Sequence, residues 1–137
     1  MQVTPSVKRD EQSAAFFDAA AEGTLLVPRC DNCGKWVTPY VVFGSVSRLC
    51  RNCHSGRLEW QPTSGAGTLV TWTLIPGVVP VVEGASVQAS GIVELAEGPW
   101  LTCALDIPVG DLAVGLSVRV GFARPGGGEP IPVFRAN

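Results

Sequence analysis

The chain has 137 residues, enough for one domain or for two very small units sharing a core. Hydrophobic residues make up 46% of it and the formal net charge is −2, which argues against a disordered chain and against a general attraction to nucleic acid. With 16 Gly and 11 Pro against few helix-forming runs, the composition leans toward short strands and turns.

The first stretch, "MQVTPSVKRDEQSAAFFDAAAEG", lacks the continuous apolar core of a signal peptide. The longest apolar run, around "PGVVPVVEG", is too short to span a bilayer and is broken by Pro and Gly. The expectation is a soluble, cytoplasmic chain with no membrane partner. In that reducing compartment its five cysteines read as metal ligands and one spare thiol rather than as disulfides.

A helix is expected from about Asp10 to Glu22, because Ser13, Phe16, Phe17 and Ala20 fall on one stripe and Gly23 is placed to end it. The two phenylalanines either pack on the protein's own body or dock onto another chain.

Next comes "CDNC", Cys30 to Cys33, and further on "CRNCH", Cys50 to His54. The second string spells a c-type haem attachment signal. The only other candidate axial ligand types are absent, since His54 is the sole histidine and Met1 the sole methionine, so the haem reading is rejected. The two strings together are C-x2-C-x16-C-x2-C, the spacing of a four-thiolate site. Two cysteines two residues apart turn both sulfurs toward one ion, and two such knuckles close a tetrahedron. Cys30, Cys33, Cys50 and Cys53 are therefore the expected metal ligands, with zinc preferred and iron possible from the same ligands. Such a site leaves no position for a reactive water and is structural rather than catalytic. His54 reads as a surface residue of the second knuckle, with replacement of Cys53 as the other reading. "LLVPRCDNCGKWVTP" suggests a strand, a knuckle and a returning strand, and "SRLCRNCHSGRLEW" repeats that theme with Ser55-Gly56 as a turn. Hairpins this small need a metal in place of a core. From Val27 to Trp60, Arg29, Lys35, Arg48, Arg51 and Arg57 face only Asp31 and Glu59, a mildly basic surface.

From about Gly65 five strands are expected: "GTLVTWTLI" (Gly67 to Ile75), "VQASGIVEL" (Val87 to Leu95), "WLTCALDI" from Trp100, "SVRVGF" from Ser117, and "IPVF" (Ile131 to Phe134). In the second, Val87, Ala89, Gly91, Val93 and Leu95 share one face, with Gln88, Ser90 and Glu94 opposite. Leu101, Cys103, Leu105 and Ile107 share a face in the third, as do Val118, Val120 and Phe122 in the fourth. The prolines of the fifth suit an edge. Five alternating strands with Gly-rich turns suggest an OB-fold barrel. "GDLAVG" (Gly110 to Gly115) would join strands three and four, and "RPGGG" would be a hairpin turn. Cys103 reads as an ordinary core thiol, since no histidine is available to activate it. The loop "PGVVPVVEGAS" is either a lid on the barrel or, if exposed, an apolar docking or acyl-chain surface.

The "FF" helix, "GTLLVPRCDNCGKW", a second knuckle, "LEW", "SGAGTLVTWTLI", "GIVELAEGPWL", "GLSVRVGF" and "PIPVFR" together resemble a bacterial and archaeal family over about residues 12 to 135. Its members join a rubredoxin-like zinc ribbon to an acyl-CoA-associated OB-fold, long catalogued as a domain of unknown function. The resemblance implies a mostly β chain with an N-terminal docking helix (10–23), a zinc ribbon (24–61) and an OB-fold (62–137). It further implies an accessory subunit without catalytic residues of its own. The implied partner is a thiolase-superfamily enzyme in a hetero-oligomer, preferably a thiolase-like aldolase of steroid side-chain degradation, with acyl-CoA at the shared interface. Cys30, Cys33, Cys50 and Cys53 would bind zinc, and the barrel and leading helix would contact the enzyme. The interval "GKWVTPYVVFGSVSRL", with Pro39-Tyr40 where the family usually has Pro-Arg, departs from the pattern, as does "VVEGASVQ" before the second barrel strand.

An independent enzyme is the weakest reading, because no nucleophile and base can be paired. "RPGGGEP" lacks the lysine of a phosphate-binding loop. The rival from another class is a zinc-ribbon and OB-fold protein that binds single-stranded nucleic acid. The barrel offers it Trp72, Trp100, Phe122 and Phe134 with Arg119, Arg124 and Arg135, a thin stacking platform.

Overall fold

The computed structural model describes residues 7–11, 13–38 and 49–137. The middle of the interval between the knuckles, with Pro39-Tyr40 and Arg48, lies outside them.

The helix, α1, spans Ala14–Ala21, shorter at its start than the apolar stripe suggests. Asp10 and Ser13 account for the difference. The Ser13 N–H donates to the Asp10 carboxylate at 2.9 Å and the Asp10 N–H to the Ser13 hydroxyl at 3.0 Å, a local turn that competes with helical bonding. At the other end Gly23 takes a positive φ of 85°, and the Thr24 N–H turns back to the Ala19 carbonyl at 2.9 Å. Phe16, Phe17 and Ala20 are all buried, and Phe16 lies 5.6 Å from the Trp60 ring. The phenylalanine stripe thus packs on the protein's own body, each ring contributing about 1.5–3 kcal/mol of apolar burial.

A two-stranded antiparallel ribbon follows, β1 (Leu26–Cys30) against β2 (Leu58–Pro62), with Cys30 opposite Leu58 and Leu26 opposite Pro62. The strand that leads into the first knuckle pairs with the strand that leaves the second. The return arm expected after the first knuckle is reduced, among the described residues, to a single bridge between Arg29 and Trp36. The long arms pair across the sequence because both leave one sulfur cluster on the same side.

Five strands then close a barrel: β3 (Ala66–Ile75), β4 (Gln88–Leu95), β5 (Trp100–Asp106), β6 (Ser117–Ala123) and β7 (Ile131–Ala136), in the order β3-β4-β5-β7-β6. Ala89, Gly91, Val93 and Leu95 of β4 are buried, as are Leu101, Cys103, Leu105 and the following Ile107. Val118 is fully buried, with Val120 and Phe122 packed beside it. A short 3-10 turn at Val109–Asp111 links β5 to β6, and Leu112 beyond it is buried.

Two expectations are corrected. β7 is not an edge strand, for it pairs with β6 along its length and in parallel with β5 from Val133 to Arg135. Pro132 is tolerated because the β5 ladder begins one residue later. Gln88, expected to face solvent, is buried: its Oε1 accepts the Val81 N–H at 2.9 Å and its Nε2 donates to the Ala89 carbonyl at 2.6 Å. The β3–β4 connection folds over it at that point, while Val78 and Val79 of the same connection remain exposed.

Helix, ribbon and barrel share one hydrophobic cluster, which runs from Phe16 and Phe17 through Leu25 and Val27 to Leu69, Leu105 and Phe134. Among the described residues no helix is long and apolar enough to cross a membrane.

β3 shifts register between Leu69 and Thr71, a bulge that bends the strand. Opposite this bulge a Cβ on Gly91 would lie 2.6 Å from the Thr71 carbonyl oxygen and 2.9 Å from Leu105. Backbone cannot yield there as a flexible side chain would. Gly91→Ala is expected to destabilise the chain by about 1–3 kcal/mol, read as a lowered urea midpoint at unchanged m-value.

Candidate metal centre

The two knuckles are built alike. The Gly34 N–H donates to the Cys30 carbonyl at 2.8 Å, and the His54 N–H donates to the Cys50 carbonyl at 2.8 Å. The Cys30 N–H is received by Lys35 at 2.9 Å and the Cys50 N–H by Ser55 at 2.8 Å. Each turn requires a positive φ just after its second cysteine, 78° at Gly34 and 62° at His54. His54 is exposed and stands outside the sulfur cluster, so its place is set by that backbone turn. An ion pair between Arg57 and Asp31 and a backbone bond from the Asp31 N–H to the Arg57 carbonyl (2.8 Å) tie the first knuckle to the chain leaving the second.

The turns bring Cys30, Cys33, Cys50 and Cys53 together, with all four Sγ atoms within 4.8 Å of one another. The Sγ atoms of Cys30 and Cys53 are 3.5 Å apart, those of Cys33 and Cys50 3.7 Å. Four thiolates at about 2.3 Å from one tetrahedral ion stand about 3.8 Å from each other, so the cluster fits such an ion. An all-sulfur set suits zinc or iron and leaves no ligand position open.

Cys30 and Cys50 are fully buried, with Val37 beside them, whereas Cys33 is exposed and Cys53 half-buried. The outer pair is supported differently. The Asn52 side chain and then the Lys35 N–H hold the Cys33 thiol down at about 6. The Asn32 amide, whose Nδ2 reaches the Cys53 sulfur at 3.4 Å, followed by the Ser55 N–H, lowers that thiol too. Hydrogen bonds to sulfur favour the thiolate, the form that ligates. Neither asparagine stands out by composition. Their signal in the sequence is position, since both knuckles read C-x-N-C.

Cys103 belongs to a different environment. It is buried in the barrel, its Sγ 3.8 Å from the Gly91 carbonyl, and burial pushes its thiol up to about 12.

Residues 60–123 match the family model of the ChsH2 C-terminal OB-fold domain. That match runs from the end of the ribbon through β6. This chain is similar, over 96% of its length and 98% of the other, at 22% identity and a TM-score of 0.72, to a chain of the solved Ltp2-ChsH2(DUF35) aldolase. It is also similar, at 14% identity and a TM-score of 0.59, to a DUF35-family protein of unknown function from Sulfolobus solfataricus, covering 93% of this chain and 86% of that one. These likenesses carry the fold: helix, ribbon and barrel occur in one chain in the same arrangement.

The repeated turn predicts opposite outcomes at equivalent positions. Gly34→Ala, where a Cβ meets nothing closer than 3.6 Å but the φ is left-handed, is expected to lower stability by about 1 kcal/mol or more. His54→Gly is expected to raise it by about 0.5–1 kcal/mol. Thermal or denaturant unfolding of the metal-loaded chain checks both signs.

Proposed function

We propose that this chain is a non-catalytic accessory subunit of a thiolase-superfamily enzyme. It holds one zinc ion on Cys30, Cys33, Cys50 and Cys53 and supports turnover of an acyl-CoA at an interface with its partner. The preferred partner is a thiolase-like aldolase that cleaves a β-hydroxyacyl-CoA in steroid side-chain degradation, in a cytoplasmic hetero-oligomer. The observation that carries the reading is the likeness, along nearly the whole of both chains, to a chain of an aldolase named for its two components.

The chemistry of the residues supports it. Zinc on four thiolates supplies a structural cross-link with no place for a reactive water. His54 lies exposed on a knuckle turn, the Cys103 thiol is buried without a base, and the lowered thiol of Cys33 is taken up by the metal set, so among the described residues no free activated nucleophile is left. The surface left for a partner is the barrel exterior and the outer face of α1, because the inner face holds the phenylalanines in the core. Leu74, Ile75, Val78 and Val79 are exposed apolar residues of that surface, as are Trp100, Val109 and Val114.

The single-stranded nucleic-acid reading loses most of its platform. Phe134 is fully buried and Phe122 packs into the core. The Trp100 indole donates to the Glu94 carboxylate at 2.8 Å, which sets a negative charge beside the most exposed ring of that platform. Arg135 is paired with Asp106 at 2.9 Å. Stacking and phosphate contact both need what these pairings occupy.

Coexpression with the thiolase-like aldolase followed by size-exclusion chromatography tests the proposal. The wild-type chain is expected to carry one zinc per chain, co-elute with the aldolase and restore acyl-CoA cleavage. Cys50→Ser should lose zinc, co-elution and activity together. Cys103→Ser should keep all three at a stability cost of about 1–3 kcal/mol, from a hydroxyl placed in an apolar interior. A monomer that ignores the aldolase and binds single-stranded DNA with a steep salt dependence refutes the reading.

A further inference from the structure

The four sulfurs are protected unequally, and the two asparagines fall on the two that burial leaves uncovered. Cys30 and Cys50 have no exposed surface, while Cys33 and Cys53 face outward. Asn32, in the first knuckle, donates its side-chain amide to Cys53 in the second. Asn52, in the second, acts on Cys33 in the first, where its side chain is the foremost cause of the lowered thiol. Both asparagines are exposed. Asparagine is often chosen in turns because it tolerates a left-handed backbone. That does not account for these two, for His54 is the only non-glycine residue with a positive φ among the described residues. What the two share is a sulfur of the opposite knuckle on which the side chain acts.

We propose that Asn32 and Asn52 are positioning residues of the four-thiol centre, each reaching from its own knuckle to the outer sulfur of the other, so that a pair of crossed amide-to-sulfur bonds closes the centre on its solvent side. This rests on the metal reading under Proposed function. A crossed pair differs in its consequence from bonds within a knuckle. A bond within one turn stabilises that turn whether or not the other is present. A crossed bond forms only when both knuckles are in register, so it holds the outer sulfurs at ligating distance and opposes the opening through which an ion leaves. Partners of a ligating atom commonly set metal affinity over about 10–100-fold.

Cobalt(II), added to the full-length metal-free chain, is the probe. Its affinity is measured by competition with a chelator, and its sulfur-to-cobalt charge-transfer absorption reports the sulfurs themselves. Asn32→Leu and Asn52→Leu keep much of the side-chain volume and remove the donor. Each is expected to weaken cobalt binding about 10-fold, the double variant about 100-fold, with a shifted charge-transfer band. Asn32→Asp and Asn52→Asp separate donation from shape. Aspartate keeps the outline and turn preference of asparagine but presents an acceptor to sulfur, so the loss should be at least as large as for leucine. These variants also carry the test if a leucine variant fails to fold. Asp variants that match the wild type in cobalt affinity and absorption overturn the inference. A wild-type chain with no sulfur-to-cobalt absorption overturns the metal reading itself, and this inference with it.

Discussion

Convergence of four sulfurs is the constraint from which the ribbon's geometry follows. Among the described residues the knuckle end of the ribbon has a small core: Cys30, Val37 and Cys50 are buried there, with Cys53 and Leu58 packed against them. Three small buried side chains offset little of the entropy of ordering two turns. A shared ion would link positions 17 and more residues apart and remove much of that entropy from the unfolded state, as any cross-link does. The opposite end of the ribbon is held by other means. Leu25 and Val27 enter the main core, and the Leu25 carbonyl accepts both the N–H and the hydroxyl of Thr63 at 3.0 and 2.9 Å. One element is thus fastened by sulfur at its tip and by apolar burial at its root.

The root is where three segments that look separate in the sequence become one body. The Ser64 N–H, between ribbon and barrel, donates to the Glu97 carboxylate in the β4–β5 turn at 2.9 Å. The segment before α1 reaches the other end of the barrel, where Arg9 pairs with Glu129 and the Glu129 N–H donates to the Val7 carbonyl at 2.9 Å. Arg9 also pairs with Asp18 on α1. Exposed pairs of this kind add little stability singly. Their value lies in direction, because each joins elements that no strand pairing connects. A chain tied in this way moves as one body.

Local chemistry was legible in the sequence and tertiary choice was not. Cysteine spacing determines a knuckle within five residues, and strand alternation determines which of Leu101, Cys103 and Leu105 face inward, so both could be read directly. The pairing of β1 with β2 could not, because every hairpin signal in the sequence is local and this pair closes over the whole knuckle region. Gln88 shows the same limit. Alternation puts it outside the barrel, and only the arrival of the Val81 N–H makes its burial affordable in hydrogen bonds. Pro132 looked like an edge residue because sequence cannot say where a neighbouring ladder starts. The asparagines were missed because their partners lie in the other knuckle, 21 residues away for Asn32 and Cys53.

The string "CRNCH" can now be explained without haem. A knuckle of this type has a left-handed residue directly after its second cysteine, and that residue's own N–H returns to the first cysteine's carbonyl. Glycine fills that position in the first knuckle, and histidine fills the same position in the second at some conformational cost. The imidazole plays no part in the turn, since the bond that matters is made by its backbone N–H at 2.8 Å. A short motif specifies chemistry only when each of its side chains is used. Here the two thiols are directed inward to the cluster and the third member is directed away from it. The haem signal is therefore a coincidence of one side chain on a turn whose shape the upstream knuckle achieves with none.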